Sequence, residues 1–277
     1  MIRLCAFDLD GTLLNSCKIM TEKSADALKT LNDNGCDVAI VTGRPPCFAE
    51  AYLLQARIRG YVAASNGSYI SSPSGEIIYL NEFPPSLTGR LTRWLDLRGA
   101  RFAAQFRDAI IGNLPADPAI AERFEKYREM SSRFGLFPEL PFTDTSLAGK
   151  ETPGMLKITV TADPAGITGC LEDLHEEFSG LDTAFSGATV GDVNLTGDNK
   201  GAALRRIAEH LGISRHEICC FGDYDNDIPM FMEAGFSIAM NNATEKVREH
   251  ADRITYDNDS EGISEAVKTV LMPFIAR

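Results

Sequence analysis

The 277-residue chain is short of positive charge, of histidine and of long apolar runs, and each shortage removes a class of function. Lys and Arg number 27 against 39 Asp and Glu, a formal net charge of −12. Such a chain has no sequence-independent attraction to polyanions, so nucleic acid and anionic membranes are not expected partners. No uninterrupted apolar stretch approaches the roughly 18 residues of a bilayer span. Met1-Ile2-Arg3 runs at once into a short strand-like segment rather than a signal peptide. The four histidines (His175, His210, His216, His250) include no H-x-x-x-H pair, and the seven cysteines are odd in number with no C-x-x-C. Zinc and a disulfide framework are therefore disfavoured, and a reducing, cytoplasmic setting is expected. With only 13 prolines, no low-complexity tract and no internal repeat, but 44% hydrophobic residues, the chain has the composition of a globular protein with a sizeable core.

What is present is an alternation of buried strands and amphipathic helices. Residues 2–9 form a nearly continuous apolar run that stops at Asp10-Gly11-Thr12, as a strand buried on both faces does. A helix follows from Thr21 to a stop at Asn34-Gly35, then the strand Asp37-Val38-Ala39-Ile40-Val41 and a weaker one at Tyr61-Val62-Ala63-Ala64. Between about Phe83 and Gly191 the strands (101–106, 109–114, 155–161) alternate more cleanly, as in a sheet with one wet face, and are interleaved with helical segments at 118–130 and 164–178. From Lys200 the first pattern returns. The fold class expected is α/β: a doubly wound, Rossmann-like parallel sheet as a discontinuous core, residues 1–82 and 192–277, with an inserted α+β cap domain, residues 83–191.

Four polar clusters stand just past buried strands or at a helix start, where ligands of open parallel sheets bind. Asp8 and Asp10, two apart in extended backbone, point the same way, and Gly11 frees the chain to turn. Two neighbouring carboxylates repel, which favours a division of labour between an ionised nucleophile or ligand and a proton carrier. Thr42-Gly43-Arg44 offers a hydroxyl and backbone N–H groups for phosphate oxygens, and Lys200 a cation for developing charge. Gly222-Asp223-Tyr224-Asp225-Asn226-Asp227 returns carboxylates to the same sheet edge; hard oxygen ligands without histidine suit Mg2+.

The order Phe7-Asp8-Leu9-Asp10-Gly11-Thr12, Val41-Thr42-Gly43-Arg44-Pro45, Ser65-Asn66-Gly67, Lys200-Gly201 and Gly222–Asp227 resembles the haloacid dehalogenase superfamily, and within it the Cof-type phosphatases with a large α/β cap. The resemblance covers nearly the whole chain. It implies that Asp8 attacks phosphorus to form an aspartyl-phosphate and that Asp10 handles protons. Mg2+ would be held by Asp8, the Asp10 backbone carbonyl, Asp223 and Asp227. Thr42 and Lys200 would hold the phosphoryl oxygens, with Gly43, Arg44, Asn66 and Asn226 nearer the substrate or supporting the loop. The expected activity is Mg2+-dependent hydrolysis of a small phosphorylated metabolite such as a sugar phosphate. A sugar phosphomutase or phosphotransferase, and a non-catalytic metabolite-binding protein, are the alternatives. The segment 192–199 departs from the family's proline-bearing approach to the lysine. Trp94, among Leu91, Leu95 and Leu97, is expected in the core, and Arg90, Arg93, Arg98, Arg101 and Arg107 are expected to be solvated, with pairing to a second anionic group of the substrate as the alternative.

Overall fold

The computed structural model describes residues 1–113, 118–136 and 147–275. Its larger sheet is built around β1 (Leu4–Phe7), whose four residues are all fully buried. Cys5 and Phe7 join the apolar layer containing α1 (Glu22–Asp33), and Leu4 and Ala6 the opposite layer containing α6 (Lys200–Leu211). Burial on both faces is why this segment reads as an unbroken apolar run rather than an alternating one.

β1 pairs in parallel with β2 (Asp37–Val41) on one side and β11 (Ile218–Gly222) on the other. Beyond them lie β3 (Tyr61–Ala64) next to β2, and β12 (Phe236–Ala239) and β13 (Arg253–Ile254) beyond β11, all parallel. Successive strands step outward in opposite directions from β1, so a topological switch point lies between β1 and β11, and a crevice opens at their carboxyl ends. The sheet is not wholly parallel. β4 (Tyr69–Ser71) and β5 (Ile77–Leu80) add to the β3 edge as antiparallel strands.

Helix boundaries follow local capping chemistry. Thr21 caps α1 by accepting from the Ser24 N–H, and Asn199 caps α6 by accepting from Ala202. Gly212 ends α6 at φ 62°, a left-handed conformation that glycine adopts without a Cβ penalty.

A second, antiparallel sheet has the order β7-β6-β8-β10-β9, comprising β6 (Arg101–Gln105), β7 (Ile110–Gly112), β8 (Lys157–Thr161), β9 (Leu181–Gly187) and β10 (Val190–Leu195). The strand expected over 109–114 is shorter, and its last residue, Leu114, lies outside the described residues. Helices α3 (Pro85–Leu97) and α5 (Pro164–Glu177) cover one face, and Trp94 packs there edge-on against Phe178. The opposite face looks onto the crevice. β10 runs across the expected division at 191/192, so residues 192–195 pair within the smaller sheet.

The two chain crossings between the sheets are tied together at Asp198. Its buried carboxylate accepts from the Tyr79 hydroxyl at 2.9 Å and Asn81 Nδ2 at 2.8 Å, with Arg206 at 3.3 Å. This acid, in the segment that departs from the family's proline-bearing approach, fixes the geometry there by hydrogen bonds. Among the described residues no helix is long and apolar enough to cross a membrane.

Candidate active site

Asp8 follows β1 directly. Gly11 then turns the chain at φ 85°, and a Cβ there would lie 2.3 Å from Asp223 Oδ2. Only glycine lets the loop after β1 approach the carboxylate after β11 so closely. Thr12 Oγ1 donates to Asp223 Oδ1 at 2.7 Å, fastening the two loops.

Lys200, the first residue of α6, is 1% exposed. Its Nζ donates to Asp8 Oδ1 at 2.7 Å and to Asp227 Oδ1 at 2.6 Å. The second Asp227 oxygen accepts from the backbone N–H groups of Asp223 (2.9 Å) and Tyr224 (3.0 Å). One carboxylate thus shapes the loop and anchors the lysine. Oxygens of Asp8, Asp223 and Asp227 lie within 4.8 Å of one another.

Three buried carboxylates facing one ammonium carry more negative charge than it can offset. Burial, opposed by Lys200 and aided by Asp227, raises Asp8 to about 7; burial and then Asp227 and Asp8 raise Asp223 to about 8. Lys200 is pushed the other way. Burial disfavours its charge, but Asp227 and Asp8 outweigh burial and hold it protonated well above the usual lysine range. An all-oxygen donor set with this uncompensated charge fits a hard divalent cation such as Mg2+.

Asp10 sits apart from this cluster. Its Oδ2 accepts from Arg44 Nε at 2.6 Å and its Oδ1 from Arg44 Nη2 at 2.8 Å, with Lys18 Nζ 2.9 Å from Oδ1. Burial alone would raise Asp10, but Arg44 and then Lys18 override it and hold the carboxyl well below the ordinary carboxylate range. Arg44 is itself buried. Its Nη1 donates to the Tyr52 hydroxyl at 3.0 Å, and its guanidinium stacks 3.8 Å from the Tyr127 ring centroid. Sequence reasoning set Arg44 nearer the substrate; the structure places it in the wall of the cavity beside Asp10, with its guanidinium paired to that carboxylate.

Thr42 and Gly43 line a cavity of about 190 Å3 with Asp8, Asp10, Lys200 and Asn226. Asn66 is placed instead at the seam between the sheets, where its Nδ2 donates to Asp192 Oδ2 (2.9 Å) and Asn194 Oδ1 (3.1 Å). Asp225 pairs outward with Lys246 at 2.9 Å. None of the five cap arginines lines the cavity.

The sequence reading missed Lys157, Asp192 and Lys18. Lys157 Nζ and Asp192 Oδ2 form a 2.7 Å ion pair, nearly solvent-free, on the smaller sheet's inner face. Burial lowers the lysine, with Asp192 opposing. The alternation Lys157-Ile158-Thr159-Val160-Thr161 was a usable signal for which face Lys157 takes, but nothing local points to its partner on β10.

Residues 5–267 match the model of the haloacid dehalogenase-like hydrolase family. The chain is 29% identical over 268 residues to the 5-amino-6-(5-phospho-D-ribitylamino)uracil phosphatase YcsE of Bacillus subtilis, covering 96% of this chain and 95% of that one. It is 28% identical over 245 residues to an HMP-PP phosphatase of Cronobacter sakazakii, covering 88% and 85%. Among solved structures, the phosphatase BT1666 of Bacteroides thetaiotaomicron superposes with a TM-score of 0.77 at 27% identity, over 97% of this chain and 94% of that one.

Proposed function

The chain belongs to the haloacid dehalogenase-like hydrolases and is a phosphoric monoester hydrolase, and from that premise we propose that it hydrolyses small metabolite phosphomonoesters, sugar or polyol phosphates among them, with Asp8 as nucleophile. The observation that carries this reading is Asp8 itself: a buried carboxylate bonded to Lys200, inside a three-carboxylate cluster, opening on a cavity lined by Thr42 and Gly43. The relatives' names, which specify phosphorylated aminouracil and HMP-PP, support a small phosphorylated substrate.

In the first displacement an Asp8 oxygen attacks phosphorus, and the ester P–O bond breaks as the leaving oxygen takes a proton from Asp10. In the second, water gives its proton to Asp10 and attacks phosphorus, releasing inorganic phosphate and the Asp8 carboxylate. Lys200 orients Asp8 and offsets charge on the phosphoryl oxygens, which also accept from Thr42 and the N–H groups of its loop. Asp8, Asp223, Asp227 and the Asp10 carbonyl are the groups to hold Mg2+; when bound, the ion would supply Lewis-acid stabilisation of the transferring phosphoryl group. The form of Asp10 seen here, ionised on Arg44, is the one that accepts a proton from water. To act as proton donor it must give up that pairing.

The smaller sheet and its helices serve as the cap, roofing the cavity with Gln105, Lys157 and Thr159 and excluding bulk water during transfer. Phosphate release from p-nitrophenyl phosphate should require Mg2+ and be lost in Asp8→Asn. Near-parental turnover in that variant rejects Asp8 as nucleophile.

A further inference from the structure

Helix α4 (Pro118–Ser132) stands between β7 and β8 in the chain, and Phe124, Tyr127 and Ser131, three and four residues apart, fall on one of its faces. That face lies against the segment running from Arg44 into α2 (Pro46–Gln55). Ser131, fully buried, donates to the Cys47 carbonyl at 3.0 Å, and the Tyr127 ring lies 5.5 Å from that of Phe48.

What this face covers is Arg44. Each of its three guanidinium nitrogens is engaged at the edge of the group: Nε and Nη2 with Asp10, Nη1 with the Tyr52 hydroxyl. Bonds at the edge leave the two flat faces open, and the Tyr127 ring takes one of them, its centroid 3.8 Å from the guanidinium carbon. Tyr127 and Arg44 are 7% and 6% exposed, and a cation stacked on a desolvated ring is held more firmly than one facing water. Pro45 and Pro46 follow at once and stiffen the backbone, Pro45 at φ −66°. The freedom left to Arg44 is in its side chain, and the ring stands in the way of that.

The ring reaches the cavity through Asp10. Arg44 meets both oxygens of that carboxylate, whereas Lys18, the other cation beside it, meets only Oδ1 and is partly exposed. Without the ring, Asp10 would depend on the looser of its two partners.

We propose that Tyr127 is a positioning residue for the second displacement. Its ring, brought by α4 onto Arg44, holds the guanidinium, and through it the Asp10 carboxylate, in the arrangement that takes a proton from the water attacking phosphorylated Asp8. The inserted segment that supplies α4 thereby acts on the base of a site whose other groups belong to the larger sheet. This rests on the phosphomonoesterase reading above and adds a residue to it.

The test is a single turnover of p-nitrophenyl phosphate by excess full-length protein with Mg2+, comparing the parent with Tyr127→Leu, which keeps an apolar side chain without a ring, and Tyr127→Phe, which keeps the ring. Release of p-nitrophenol times the first displacement, and loss of the phosphoryl group from Asp8, followed by acid quench and mass spectrometry, times the second. In Tyr127→Leu the second should slow by about fivefold or more while the first stays within about twofold, because a base held less firmly is less often aimed at the water. Tyr127→Phe should keep both within about twofold of the parent. Only molecules that become phosphorylated are timed, so a misfolded fraction does not enter. Dephosphorylation of Tyr127→Leu at the parental rate overturns the proposal, as does equal slowing of both displacements or a Tyr127→Phe as slow as Tyr127→Leu. Each of these leaves the hydrolase reading standing, whereas a parent that turns over without ever carrying a phosphoryl group on Asp8 removes the reading beneath it.

Discussion

Replacing Lys200 by methionine tests how the site balances its charge. The ammonium is 1% exposed and donates to two carboxylates at 2.7 and 2.6 Å. Removing one partner of a buried ion pair costs about 3–5 kcal/mol because the remaining charge is stranded. Here the stranded charge has an escape, since Asp8 already lies at about 7 and can take up a proton in place of the lost cation. The full cost should therefore appear near pH 8, and at pH 6 proton uptake should recover up to about 2 kcal/mol of it. At roughly 2–4 °C per kcal/mol, melting at pH 8 without added metal should fall by about 6–20 °C, and by less at pH 6. Circular dichroism melts at the two pH values read this directly. Activity should drop on the order of 10²–10³-fold, as when one preorganised donor to the transferring group is removed. A melting shift below about 2 °C at pH 8, or one of equal size at both pH values, would refute the electrostatic argument.

Other expectations follow from the same geometry. Gly11→Ala should abolish Mg2+ binding measured by calorimetry, because a Cβ 2.3 Å from Asp223 must displace that carboxylate; binding within threefold of the parent contradicts the role given to this loop. In Arg44→Gln the Asp10 carboxyl should rise toward its ordinary value, so the group that protonates the leaving oxygen keeps its proton to higher pH and the alkaline limb of the kcat/KM profile moves up by about one pH unit or more; an unmoved limb shows that the pairing does not set Asp10's ionisation. Asp8 and Asp223 are raised above their unfolded values. Between about pH 4 and their folded values the metal-free folded state thus holds more protons than the unfolded chain, and these groups cost stability as pH rises. Mg2+ displaces those protons, so the increase in melting temperature it produces should be larger at pH 8 than at pH 6; equal increases would contradict the assignment of these two acids as ligands.

The parts of the fold legible in the sequence were those whose local pattern also decides their tertiary place. β1 lies at the centre of a two-faced sheet, so its run of Leu4, Cys5, Ala6 and Phe7 had only one reading. Asp8, Lys200, Asp223 and Asp227 stand at strand ends or a helix start, and the structure gathers them as their positions suggested. β9 and β10 were not legible as strands. β9 is mostly half-exposed, and β10 buries Asp192 and Asn194, polar residues whose partners, Lys157, Thr159 and Asn66, are far away in sequence. The packing of Arg44 was not legible for a similar reason: the Tyr127 ring that covers it comes from α4 (Pro118–Ser132), and no spacing rule links the two.

The central claim is that Asp8 becomes phosphorylated during turnover. Acid-quenching the Mg2+-loaded enzyme within the first turnover of p-nitrophenyl phosphate, then peptide mapping by mass spectrometry, measures this. The account predicts one phosphoryl group on the peptide containing Asp8, located on that side chain and absent from Asp8→Asn. Phosphate release during the first turnover with Asp8 unmodified, or with the phosphoryl group on another residue, would contradict it.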